Sequence, residues 1–426
     1  MEITKDMLEN FRSGWASSDK SRQKEVMEGN ARASLREDVI SSLPPSFSID
    51  LWEGGTIDQK ESNRCWILAS MNPLRQEAMK RLGIGENFLL SSNYISFYDQ
   101  LERSALFLSR IAETCDKELD EIEDLLRLPV PDTGQWYRFS FLADKYGVVP
   151  LISMPDTACF TQPRSFSLIL NEYLRKCAWQ IREEKSRTER EEAITGMISD
   201  IYGYLCRFMG TPPETVSFSY IGSDGKERAV RGMSPKAFYR ECCGAHPEDY
   251  VMLINHPSKD YPSDVAYTER EDLSRGYDTL LNVDMPVMKS LVLRQLEEGE
   301  QVVFGADVRK QNDSVSGAMD PCLYDYKGYL GIDLTMPKDM RIRYHSIQGT
   351  HIMSFDGAVR HDGRVYWKVL NSRGDTFGRN GHYIMSDSWF DEYVLSAVVR
   401  KDLLSDELLE AWEKPPVFMP RKARYI

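Results

Sequence analysis

"HIMSFDGAVRHDGRVYWKVLNS", residues 351–372, reads as two apolar strands separated by Asp362-Gly363. An Asp-Gly pair between alternating apolar residues is a strong short-range hairpin signal, because a tight hairpin turn needs positive φ at its centre. His351 heads the first strand and Asn371 ends the second. Two antiparallel strands joined by so short a turn bring those ends together, where a carboxamide can meet an imidazole. Taken alone, a histidine in such a place is more often structural than catalytic. His246, His256, His345, His361 and His382 carry no distinguishing partner in the sequence.

Working outward, "QVVFGADV" (301–308) and "EYVLSAVVRK" (392–401) are further strand candidates. The front of the chain has a different period. Ile3, Met7, Leu8, Phe11 and Trp15 recur at helical spacing, predicting an N-terminal helix packed on the body. Residues 91–128 read as helix, with Leu101, Ala105, Leu108 and Ile111 on one face. "PVPDTGQW" (129–136) is a loop. The stretch 155–275 is less regular and reads as an insertion. It contains the charge run "REEKSRTEREE" (182–192), expected on a solvated helix face, and a hairpin candidate around Ser223-Asp224-Gly225. Helices first and antiparallel strands last is an α+β order.

The chain of 426 residues is 42% hydrophobic and 28% charged, the balance of a folded protein with room for two or three domains. A net charge of −13 disfavours a nucleic-acid surface, which needs Lys and Arg against phosphate. The first thirty residues carry charges throughout and lack the apolar core of a signal peptide, and no stretch approaches the apolar length of a membrane span. Cysteines stand at 65, 115, 159, 177, 206, 242, 243 and 322 with no Cys-x-x-Cys pair, so neither a metal nor another cofactor is expected. Reduced thiols and a cytoplasmic location follow as expectations.

One cysteine stands apart. "QKESNRCWILAS" (59–70) places Gln59 six positions before Cys65, at the point where a loop meets an apolar helical run. A helix N-terminus and a neighbouring imidazolium both lower a thiol pKa, so this is a setting for a nucleophile. It is equally a setting for a buried small hydrophobe, since free cysteines are among the most buried residues. Pro73 is expected to kink this helix.

"QKESNRCW", "THIMSF" and "WKVLNSRGD" occur in the order Gln, Cys, His, Asn. That order and spacing resemble the papain-like cysteine peptidases, and most closely the branch of bleomycin hydrolases and aminopeptidases C. "LSSNYISFYDQLERSALFL", "PDTGQWYRFSFLADKYGVVP", "VVFGADVRK", "LYDY" and "SDSWFDEYVLSAVVRK" are similar to that branch too, over residues 3 to 405. The resemblance implies a two-lobed α+β fold, with a helical lobe carrying the Cys helix, a β lobe carrying His and Asn, and a large insertion. The corresponding parts are 1–154, 155–275, 276–405 and a C-terminal arm, 406–426. It further implies Cys65 as nucleophile, His351 as base and acid, Asn371 as its orienting partner and Gln59 as oxyanion donor. Gly134 would admit a substrate backbone, and the Ile426 carboxylate would take the substrate's α-amino group. The implied protein is a thiol aminopeptidase acting on peptides, assembled as a homohexamer around an inner chamber.

Departures from the family pattern accompany the likeness. Arg373 stands where the branch has Trp over the Asn–His contact, which would leave that contact wetter. Asn63 replaces a Gly and is expected to take positive φ, and Thr133 replaces the first Gly of a pair. The ending "EKPPVFMPRKARYI" is more basic than the family's. Two alternatives follow: an endopeptidase if the tail leaves the cleft open, and a weakly active scaffold if Arg373 spoils the site.

Overall fold

The computed structural model describes residues 1–51, 54–131, 133–184, 186–244, 246–268 and 279–419. Helices α1 (Lys5–Ser17), α2 (Cys65–Leu82), α3 (Ser92–Glu113) and α4 (Trp136–Tyr146) come first. The long helices α5 (Pro163–Glu183) and α6 (Arg187–Met209) follow, then the hairpin β1 (Val216–Ile221) and β2 (Glu227–Met233). Next come β3 (Tyr250–Ile254), β4 (Val265–Thr268), β5 (Thr279–Asn282) and helix α7 (Met285–Glu297). After β6 (Val302–Ala306), the strands β7 (His351–His361), β8 (Arg364–Leu370) and β9 (His382–Ser386) lead to helix α8 (Asp387–Tyr393). Strands β10 (Val394–Arg400) and β11 (Val417–Phe418) close the described chain.

The longer strands lie in the order β11-β4-β5-β3-β10-β6-β7-β8-β9, antiparallel except at β3·β5 and β4·β11. The expected α+β class holds. The stretch 155–275 divides between its helices, which pack on α3, and β3 and β4, which enter the main sheet. The β7–β8 hairpin turns at Asp362 (φ 48°) and Gly363 (φ 75°), both positive as the Asp-Gly pair requires.

Two apolar cores sit either side of the site. One, in the helical lobe, packs Ile67, Tyr94, Phe97, Leu108, Ile111, Phe139 and Leu174, all buried, and extends to Ile352 of β7. The other fills the far side of the sheet, where Phe304, Phe355, Trp367 and Phe390 stack beneath α7 and α8.

Local expectations fare unevenly. Helix α1 forms with Thr4 as its N-cap, yet it buries none of its residues, and Ile3, Leu8, Phe11 and Trp15 are exposed. Its apolar stripe is therefore not packed on the body of this chain. The charge run 182–192 is not one helix face but the join of α5 to α6. There Ser186 and Glu189 form a capping box that starts α6.

Pro73 does not break α2, which runs through it from Cys65 to Leu82. A proline removes the N–H that would bond the carbonyl four residues earlier, here that of Ala69. Ser354 of β7 supplies the missing donor: its Oγ donates to the Ala69 carbonyl at 3.2 Å and accepts from Asn72 Nδ2 at 3.1 Å. The orphaned acceptor is thereby satisfied by the opposite lobe.

Candidate active site

Helix α2 starts at Cys65 with no side-chain cap. Its first-turn amides, and with them the positive end of the helix dipole, lie at the half-buried thiol. The contact of Ser354 with Ala69 sets α2 beside β7. Cys65 opens the helix four residues before Ala69, and His351 opens the strand three residues before Ser354.

Asn371 accepts at Oδ1 from the backbone N–H of Ser372, 2.9 Å away, which fixes which end of its carboxamide is oxygen. The same Oδ1 lies 2.9 Å from His351 Nε2. Since that oxygen only accepts, Nε2 carries the proton and Nδ1 is left as the basic nitrogen of a neutral ring. This bond is buried, with His351 8% and Asn371 4% exposed, although the neighbouring Arg373 is exposed. The expectation that Arg373 would leave the contact wet does not hold: both partners are buried although Arg373 itself is exposed.

Gln59 is fixed in the same way. Its Nε2 donates to the Ser62 carbonyl at 3.1 Å and its Oε1 accepts from the Ser372 hydroxyl at 2.6 Å. One hydrogen of Nε2 remains to meet a ligand. The backbone is zipped alongside, Gln59 N–H to Ser372 O at 2.8 Å and Gly374 N–H to Ile57 O at 3.2 Å. The oxyanion candidate and the His partner thus share one seam between the lobes. In this loop the residue with positive φ is Lys60 (53°), not Asn63 as expected. Asp58 holds it there by accepting from Lys60 N–H and Nζ.

Gly134 lies against the indole of Trp66, the residue after Cys65. A Cβ there would stand 2.4 Å from the ring, so only glycine fits. Arg103 donates to the Thr133 carbonyl and holds this loop in place. Arg103 and Arg138 both bond the carboxylate of Asp99, which is 3% exposed, and the trio ties α3 to α4. Ile426 lies outside the described residues. The described chain is anchored at its end, since β11 pairs with β4 and Met419 is buried.

Sequence reasoning missed Ser372 and the Asp99 trio. The Asn-Ser pair was in view, but that its hydroxyl orients Gln59 depends on a contact across the lobes. Three of the other histidines are engaged elsewhere. His382 bonds Asp356 at 2.9 Å, His246 faces Arg240 and Glu248, and His256 packs on Tyr261.

Burial pushes the His351 imidazole down to about 4; the Asn371 bond opposes this and the charge of Arg373 reinforces it. The unfolded chain binds a proton at this histidine below about 6.5, while the folded chain does so only below about 4. Stability is therefore expected to fall as pH drops from about 6.5 to about 4, by roughly 3 kcal/mol from this group. Urea titrations across that range should show the slope flattened in His351→Gln, and an unchanged slope would remove His351 as its source.

A two-lobed α+β protein with a cysteine at a helix start and a buried His–Asn pair across the seam is a papain-like cysteine peptidase. The chain belongs to the Peptidase C1-like family, whose model matches residues 2–422. It is 33% identical to an aminopeptidase C of Listeria monocytogenes over 98% of this chain and 96% of that protein. It is 32% identical to an aminopeptidase C of Lactococcus lactis (99% and 98% covered) and to an aminopeptidase E of Lactobacillus helveticus (98% and 98%). Among solved structures it is similar to pepw from Lactobacillus rhamnosis HN001, with a TM-score of 0.93 and 33% identity over 98% of this chain and 97% of that one. No helix of the described residues is long and apolar enough to cross a membrane.

Proposed function

We propose that this protein is a cytoplasmic thiol aminopeptidase that removes N-terminal residues from peptides through a thioester. The observation carrying the reading is the buried His351–Asn371 bond at the end of the seam where α2 begins with Cys65. His351 Nδ1 takes the thiol proton, and the sulfur attacks the peptide carbonyl. Gln59 Nε2 and the Cys65 backbone N–H receive the charge that develops on the carbonyl oxygen. His351 returns its proton to the departing amine, then draws one from the water that cleaves the thioester. Gly134 lines the substrate side beside Trp66. No step calls for a metal or another cofactor.

The names of the similar aminopeptidases C and E support an exopeptidase. In this reading the C-terminal arm closes the cleft and the Ile426 carboxylate takes the substrate's α-amine. The test compares free with N-acetylated peptides, using the full chain and a chain ending at Met419. The full chain should cleave only free peptides, and the shortened one should also cleave acetylated ones. Cleavage of acetylated peptides by the full chain would favour the endopeptidase alternative.

We also propose a homohexamer whose sites face an inner chamber, within the four-part division 1–154, 155–275, 276–405 and 406–426. The unburied stripe of α1 and the exposed Leu168, Ile169 and Trp179 of α5 support subunit contacts. Light scattering should give six times the 49.1 kDa chain mass, and a monomer at micromolar concentration would refute the assembly.

A further inference from the structure

Arg373 is the charged residue closest in sequence to the His–Asn pair, and its placement is not loose. Its backbone bridges Asp58, between the Gln59–Ser372 and Gly374–Ile57 bonds that close the seam. Its side chain is exposed. Among the described residues it makes no ion pair within 4 Å, and the nearby Asp58 carboxylate is held by Lys60 Nζ at 2.6 Å. Its charge nonetheless reaches the imidazole of His351, as well as Asp58 and Tyr383. The seam therefore holds an accessible guanidinium, two residues from Asn371, whose charge reaches the ring.

The chemistry says which part of a substrate would meet it. His351 hands its proton to the departing amine, so the residue that leaves first stands on the His351 side of the scissile bond. We infer that Arg373 is a specificity residue for the leaving side, favouring substrates whose first departing residue carries a carboxylate. That carboxylate has two sources of one chemistry: the side chain of Asp or Glu, or the free α-carboxylate of a dipeptide. A guanidinium suits either, since its planar fork matches both carboxylate oxygens. The inference rests on the Cys65–His351 reading above.

The test measures kcat/KM for the full chain on peptides that share one N-terminal residue and an amidated C-terminus. The second residue is Asp, Asn, Glu or Gln. A separate arm compares a dipeptide having a free C-terminus with its amide. Each is run with the native chain, Arg373→Gln and Arg373→Lys, at low salt and at about 0.5 M salt.

The native chain should prefer the carboxylate member of a pair by about three- to fivefold, the range of an exposed ion pair. High salt should erode that preference. Arg373→Gln should bring the ratio to about one, and Arg373→Lys should keep part of it. Preference in the Asp and Glu arm assigns the side chain as its source, and preference in the dipeptide arm assigns the α-carboxylate. Equal rates in both arms, or a preference that survives both salt and Arg373→Gln, would overturn the inference. Loss of all peptide turnover in the native chain, or turnover indifferent to thiol alkylation, would instead overturn the Cys65–His351 reading. If Arg373→Gln does not fold, the salt dependence of the native chain and the lysine variant still decide.

Discussion

Cys65→Ala is expected to lower kcat/KM on a fluorogenic aminoacyl amide by about 10⁴-fold or more while leaving the thermal midpoint nearly unchanged. The sulfur is half-buried at a helix start on the edge of the helical-lobe core, so removing it opens only a small gap and leaves the helix intact. The loss falls on the bond-making step alone. Gln59→Ala should cost less, roughly 10²–10³ in kcat, because one of two oxyanion donors would survive. The graded pair separates the two roles. Turnover by Cys65→Ala within tenfold of the native chain would end the thiol mechanism, whatever the fold.

Asp99→Ala should be the most damaging change for stability outside the apolar cores, at about 3–5 kcal/mol. Asp99 accepts from Arg138 Nε at 2.6 Å and from Arg103 Nε at 2.8 Å, and the Arg138 side chain is 7% exposed. Removing the carboxylate leaves a buried guanidinium without its counter-charge, which costs far more than the pair itself contributes. A second effect follows from geometry. Arg103 also holds the Thr133 carbonyl, and the next residue, Gly134, rests on Trp66. The variant should therefore raise KM as well as unfold at lower urea. Asp99→Asn keeps an acceptor and should fall between. An Asp99→Ala protein with native stability would show that water reaches these arginines.

The sequence made the parts of the site legible where local rules speak. The Asp362-Gly363 turn paired β7 with β8, and although a bulge between Phe355 and Gly357 shifts the register by one residue, the far ends of the two strands bring the Asn371 side chain to His351. The helix start at Cys65 was readable from the loop before it. The sheet order was not, because β3, β10 and β6 come from distant parts of the chain and their pairing leaves no local trace. Asp99 read as one more polar residue of a helix, since its partners lie on another turn and on another helix. Helix α1 shows the converse. Its spacing gave the helix correctly, but periodicity reports an apolar face and not what covers it.

The proline in α2 carries a consequence for how such chains diverge. Pro73 leaves Ala69 without its usual donor, and Ser354 fills the gap from the other lobe. Positions 73 and 354 therefore form one unit of variation, although neither residue touches the reaction. A relative that loses the proline regains a helical bond and releases its serine to change. One that keeps the proline and loses the serine strands a carbonyl on the helix that presents the nucleophile. Substitutions at the two positions should travel together through descent.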